Sequence, residues 1–144
     1  MTFPLLTVAA ITGHAAAGGA IAACAFDFRF MRTGRGYFFF PEVDLGMPFL
    51  PGMVALVRAM MPARIFREMY LTGRRLTAEQ GVASGFMLGA YDIDELMEQT
   101  IAWAKTQNKR REVVKAMKEM LYANTLKVMA EEDTLRIETS HLQV

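Results

Sequence analysis

Two carboxylates in a rigid loop are the side chains of this sequence best suited to proton transfer. Glu42 and Asp44 lie in the segment 41–52, where three prolines and two glycines restrict the backbone and apolar side chains surround both acids. A carboxylate held among apolar groups binds its proton more tightly than one in water, which suits acid–base chemistry near neutral pH. The same pattern is also typical of an exposed surface loop with a capping aspartate.

A turn of small residues, 13–19, is the second feature with chemical potential. An apolar run enters it and an alanine-rich run leaves it, which predicts a strand, a turn and a short helix that begins near Gly18. The first N–H groups of a helix have no partner inside it, and small side chains let a ligand approach them. Such a turn can hold a negatively charged oxygen. Alternatively, the small residues only pack a helix tightly against a sheet.

The remaining pattern predicts the elements that position these two features. Short strands are expected at 28–30, where apolar and polar residues alternate, and at 37–40, where an aromatic run ends at a proline. Helices are expected from Met53, again after Pro62, after Thr77 as the N-cap of a capping box with Gln80, and twice more between 92 and 129. We therefore predict an α/β fold with a core at 1–90 and a helical region at 91–144 that makes subunit contacts.

Composition excludes several classes of protein. The 144 residues, 53% hydrophobic and 22% charged, are typical of one globular domain, and a net charge of +1 gives no electrostatic case for nucleic acid. The lone Cys24 is expected to be a small buried residue. The uncharged stretch 3–26 is long enough to cross a bilayer, but His14 and three glycines interrupt it and no basic residue precedes it. We therefore predict no membrane span.

Three arginines follow this stretch, at positions 29, 32 and 35. Their clustering could indicate a phosphate site. They are spread over a glycine-rich turn without interleaved aromatic residues, which favours a solvated turn instead.

Three segments, 7–30, 36–49 and 71–87, together resemble the crotonase (enoyl-CoA hydratase/isomerase) superfamily, and in particular its Δ3,Δ2-enoyl-CoA isomerases. The resemblance implies a partial crotonase-like ββα spiral core with a helical C-terminal region. It implies an acyl-CoA thioester as substrate, with CoA as part of the substrate, and neither a separate cofactor nor a metal. In that reading Gly18 supplies a backbone N–H to the oxyanion hole, Glu42 is the catalytic acid and base, and Asp44 is structural. The implied substrate-binding residues are Ala17, Gly19, Leu45 and Gly46.

The resemblance also separates two reactions. Two-carboxylate hydratases carry a further Glu at the position of Ile21, and isoleucine cannot move a proton. One carboxylate suffices to shift a double bond, so we predict an isomerase of fatty-acid β-oxidation that converts 3-enoyl-CoA to trans-2-enoyl-CoA. The alternatives are a truncated non-catalytic crotonase-like subunit or remnant, and an enoyl-CoA hydratase or other acyl-CoA enzyme of the superfamily.

Family members carry an extended N-terminal portion that supplies the first oxyanion donor and most adenine and pantetheine contacts, whereas here the matching strand begins almost at Met1. The resemblance therefore leaves a truncated, non-catalytic chain as the alternative to an autonomous enzyme. We expect a homo-oligomer of the trimer type, or association with full-length homologues. The residues 141–144 do not form a Ser-Lys-Leu-type tail, and both a peroxisomal and a cytoplasmic location fit the sequence.

Overall fold

The computed structural model describes the backbone of residues 1–140 and the side chains of residues 1–138, so the predicted absence of a targeting tail lies outside the described residues. The strands are β1 (Val8–Ile11), β2 (Ala15–Ala16), β3 (Phe28–Arg32), β4 (Phe38–Phe39) and β5 (Gly89–Tyr91). The helices are α1 (Gly18–Cys24), α2 (Pro51–Met60), α3 (Ala63–Thr72), α4 (Ala78–Ala83), α5 (Ile93–Lys105), α6 (Arg111–Val128) and α7 (Thr134–Ser140). A 3₁₀ turn, Pro41–Val43, precedes α2, and a π-helical segment, Met129–Asp133, joins α6 to α7.

The strands form two small parallel sheets, which confirms the predicted α/β class. One sheet has the order β1-β3-β5, and the other is the pair β2-β4. The stretch 3–26 is divided between β1, β2 and the seven-residue α1. Within residues 1–140, no helix combines the length and the apolar character that a membrane span requires.

The core lies between the two sheets and helices α1 to α4. Its largest fully buried side chains are Phe38, Phe40, Met31, Met69, Leu76, Val57 and Cys24. Cys24 is fully buried, as predicted, and burial raises the pKa of its thiol to about 12. Phe38 makes edge-on ring contacts with Phe40 and Phe86.

Arg29 is buried, so the prediction of a solvated turn is wrong for this arginine. Its Nη1 donates to the carbonyl oxygen of Phe26 at 2.7 Å, and its guanidinium lies over the Phe86 ring at 4.6 Å. Burial lowers the pKa of Arg29 from its usual value. Backbone carbonyls and an aromatic face therefore replace water around the charge.

A buried ion pair ties α6 to the sheet. Lys118 Nζ lies 2.7 Å from Asp27 Oδ2, and the two side chains are only 5% and 8% exposed. The same Asp27 oxygen accepts hydrogen bonds from the backbone N–H and the hydroxyl of Thr7. Helix α6 thus docks on the residues that directly precede β1 and β3, and the division into 1–90 and 91–144 stays a prediction.

The ends of α3 and α4 match the sequence pattern closely. Thr77 and Gln80 form both hydrogen bonds of the predicted capping box.

At the surface, Glu68 of α3 forms ion pairs with Arg64 and Arg74. The hydrogen bonds from these arginines lower the pKa of Glu68, and the bond from Arg64 has the larger effect.

Candidate functional site

The small-residue turn and the acidic loop follow two adjacent parallel strands. Ala15 pairs with Phe38 and Ala16 with Phe39, and the N–H of Ala17 donates to the carbonyl of Phe39 at 3.3 Å. Gly18 comes two residues after β2, and Glu42 comes three residues after β4. Carboxyl ends of neighbouring parallel strands meet at one edge of a sheet, where ligands commonly bind in α/β proteins. The two features are therefore brought to the same edge.

The turn presents backbone donors at the start of α1. The first helical hydrogen bond runs from the N–H of Ile21 to the carbonyl of Ala17 at 3.0 Å, so the N–H groups of residues 18–20 precede the helical ladder. Among the described residues, no side chain caps this helix. Gly18 and Gly19 are exposed, and a Cβ at either would meet no atom within 4 Å. The packing of the described residues therefore does not require glycine at these two positions, which weakens the purely structural alternative.

Ala17, at the N-cap of α1, has an unusual backbone. Its φ is 49° and its ψ is −128°, and within residues 1–140 it is the one residue other than glycine with a positive φ. Backbone strain of this kind costs about 1–3 kcal/mol and is frequent beside functional sites. The strain falls on the residue that directly precedes the candidate donor.

Glu42 lies in the 3₁₀ turn, and one of its oxygens is isolated. Its Oε2 atom is buried and has no hydrogen-bond partner among the described residues. Beside it is a cavity of about 270 Å³, lined by Phe40, Glu42, Val43, Gly46, Met47, Pro48, Phe49, Tyr70 and Leu71. A buried carboxylate oxygen without a hydrogen-bond partner is rare in folded proteins, and a catalytic role is one explanation for it.

The other residues singled out by the sequence occupy different places. Gly46 lines the cavity with Glu42, whereas Leu45 is 63% exposed and does not line it. The carboxylate of Asp44 lies against Gly73, at the C-terminal end of α3, as a structural residue would. Ile21 is half-buried and packs against the core cluster. The substrate-binding roles of Ala17, Gly19, Leu45 and Gly46 stay predictions.

Sequence reasoning missed the far wall of the cavity. Tyr70 of α3 packs its ring against Phe49 and Phe66, each with 5.1 Å between ring centroids. The available signal was an apolar stripe on α3 that ends in the exposed Leu71, although a stripe alone does not distinguish a cavity wall from core. Within residues 1–140, no group of three or more His, Cys, Asp and Glu side chains could hold a metal ion.

Comparison with known proteins adds three findings. The family model described as enoyl-CoA hydratase/isomerase matches residues 1–143. Enoyl-CoA delta isomerase 2, peroxisomal, of Arabidopsis thaliana is 39% identical over 97 residues, covering 66% of this chain and 40% of the relative. Enoyl-CoA delta isomerase 3 of the same organism is 35% identical over 128 residues, covering 85% of this chain and 54% of that relative.

Among solved structures, a probable enoyl-CoA hydratase from Mycobacterium tuberculosis superposes with a TM-score of 0.86 at 19% identity, covering 99% of this chain and 61% of that one. This likeness shows a shared crotonase-type fold. The chain spans about half the length of the curated relatives it matches.

Proposed function

Since this chain belongs to the enoyl-CoA hydratase/isomerase (crotonase) family, we propose that it carries the proton-transfer part of a Δ3,Δ2-enoyl-CoA isomerase site. The observation that carries the proposal is the buried, unpartnered oxygen of Glu42, a residue that lines an apolar cavity. The named isomerases among its relatives support the same choice.

In the proposed reaction, Glu42 takes a proton from C2 of a 3-enoyl thioester. The electrons of the broken C–H bond move towards the thioester carbonyl, and the N–H of Gly18 donates to the oxygen that becomes negative. When the carbonyl re-forms, the double bond moves from C3–C4 to C2–C3 and Glu42 delivers its proton to C4. Atoms and charges balance without a second reactant, and a backbone donor of this kind lowers the barrier by about 3 kcal/mol.

Ile21 favours isomerisation over hydration. It lies three residues after Gly18, on the first turn of α1, where the resemblance places the second carboxylate of a hydratase. A half-buried isoleucine there can neither bind nor deprotonate water. Hydration, or another reaction of an acyl-CoA thioester, is the second candidate.

The superfamily site uses two backbone donors, and the described residues offer a candidate for one of them, Gly18. The proposed activity therefore applies to an assembled site, within one polypeptide or between several. The third candidate is a non-catalytic subunit or remnant. Its assembly surface would include α6, where Met117, Met120 and Leu121 are 61%, 73% and 69% exposed.

We further propose a role in fatty-acid β-oxidation and assembly as a homo-oligomer of the trimer type or with full-length homologues. The name of one relative, a peroxisomal isomerase, supports a peroxisomal location, and a cytoplasmic location is the alternative.

The test is conversion of a trans-3-enoyl-CoA to its conjugated 2-enoyl isomer, followed by the absorbance of the conjugated thioester. Glu42→Gln is expected to lower the rate by at least about 10²-fold, because the residue that moves the proton is lost. Asp44→Asn, in the same loop, is the matched control and is expected to retain most of the activity. Turnover of the assembled site that Glu42→Gln leaves unchanged would refute the role of Glu42, and an assembled wild type without turnover would favour the non-catalytic subunit.

A further inference from the structure

A polar recess lies at the opposite end of the β2-β4 pair from Glu42. His14 precedes β2 and Tyr37 precedes β4, so both mark the amino ends of these strands. The recess has a volume of about 410 Å³, and its polar lining comes from His14, Arg32, Arg35, Tyr37, Thr77 and Glu79. The proposed reaction uses none of these residues.

Close packing of two turns brings the arginines to His14. Gly36 has a φ of 99°, and a Cβ there would lie 2.5 Å from the carbonyl carbon of Gly13, so the turn 33–36 rests directly on the turn 12–14. Thr33 fixes the other side, because its hydroxyl donates to Asp92 at 2.6 Å and its N–H donates to Tyr91 at 2.9 Å. The turn 33–36, which carries Arg35 and directly follows Arg32 at the end of β3, is therefore held in place before any ligand arrives.

The donors in this recess are unpaired. Among the described residues, the guanidinium groups of Arg32 and Arg35 have neither an ion-pair nor a hydrogen-bond partner, whereas Arg64 and Arg74 both pair with Glu68. His14 Nδ1 accepts a hydrogen bond from the N–H of Tyr37 at 3.2 Å. In the neutral ring this places the proton on Nε2, which leaves the Nε2–H as a further donor.

We propose that this recess binds the phosphate group of a small phosphorylated ligand, with Arg32, Arg35 and His14 as donors. Guanidinium groups match phosphate geometry and form charge-assisted hydrogen bonds with it. One group of opposite sign faces the same space: the Thr77 hydroxyl lowers the pKa of Glu79, so this carboxylate is charged at neutral pH. Two arginines against one glutamate leave a net positive recess, and Glu79 can accept a hydrogen bond from a ligand hydroxyl.

The first test is an NMR titration of the ¹⁵N-labelled chain with inorganic phosphate. Arg35 is exposed, so Arg35→Gln is not expected to disturb folding, and it should weaken phosphate binding by about tenfold. Arg67→Gln on α3 is the matched control, because it removes the same charge from an exposed site outside the recess. Glu79→Gln should strengthen binding, since the repulsion is removed.

Two outcomes would overturn the proposal. The first is an equal loss of binding in Arg35→Gln and Arg67→Gln, which would mean general attraction to a charged surface. The second is a set of phosphate-induced shifts that leaves the signals of His14 and Tyr37 unchanged.

Further titrations separate the source of the phosphate. Binding of CoA that depends on Arg35, together with weaker binding of dephospho-CoA, would assign the recess to a phosphate of the proposed substrate. Binding of a sugar phosphate or of ADP in preference to CoA would assign it to a separate ligand. Turnover of the enoyl thioester tests the isomerase proposal and binding of inorganic phosphate tests the recess, so failure of one proposal is distinguishable from failure of the other.

Discussion

Replacement of Ala17 by glycine is expected to stabilise the protein, which is an uncommon result for a change to glycine. Ala17 has a φ of 49° and a ψ of −128°, a conformation that glycine adopts freely and alanine adopts at a cost of about 1–3 kcal/mol. Glycine also increases the conformational entropy of the unfolded chain, which lowers the stability by about 0.5–1 kcal/mol. The difference predicts a net gain of about 1 kcal/mol, or a rise of about 3 °C in Tm for a chain of this size.

Urea and thermal unfolding of Ala17→Gly beside Ala22→Gly would test this reasoning. Ala22 is an exposed residue inside α1, so its replacement should destabilise the fold by about 1 kcal/mol through lost helix propensity. Equal destabilisation by both substitutions would refute the argument that Ala17 is strained.

Three further outcomes follow from buried and paired groups. Lys118→Met should lower the free energy of unfolding by about 3–5 kcal/mol, because it leaves Asp27 buried without its partner. Lys115→Met, at an exposed ion pair, should change the free energy of unfolding by less than about 0.5 kcal/mol. Urea unfolding would measure both changes. Cys24, with its pKa raised to about 12 by burial, should resist iodoacetamide in the native chain at pH 8 and react once urea unfolds it. Glu68 has a pKa held below its usual 4.5 by its two arginines, so its contribution to stability is present above about pH 4.5 and is lost as the pH falls further; Glu68→Gln should flatten this part of the stability curve in thermal scans.

Local sequence signals predicted several elements correctly. The start of α1 at Gly18 follows from the change between an apolar strand pattern and an alanine-rich run, and the end of β4 before Pro41 follows from a residue that cannot continue a strand. The capping box at Thr77 is encoded within four residues. In each case the determining interactions join neighbours in the chain.

Features that depend on distant residues were not predictable. Strand β5 has only three residues, too few to show periodicity, and a Cβ at Gly89 would lie 2.8 Å from the Phe30 ring. Arg29 is buried because carbonyls at the end of α1 and the ring of Phe86, 57 positions away, satisfy its charge.

The candidate site shows the same division. Glu42 and Gly18 were identified from local motifs, but the pairing that brings their strands together and the Tyr70 wall of the cavity arise from long-range packing.

The two-residue pair β2-β4 has a consequence for how this site can evolve. Backbone hydrogen bonds join the strands: the N–H of Ala15 donates to the carbonyl of Tyr37, and the N–H of Ala17 donates to the carbonyl of Phe39. The relative position of the donor turn and the acid is therefore specified by the main chain, whereas the shape of the cavity is specified by side chains such as Tyr70 and Leu71. Under the proposed function, substitutions in the cavity wall would alter which acyl group fits while Gly18 and Glu42 keep their places, so substrate preference could drift without loss of the proposed chemistry.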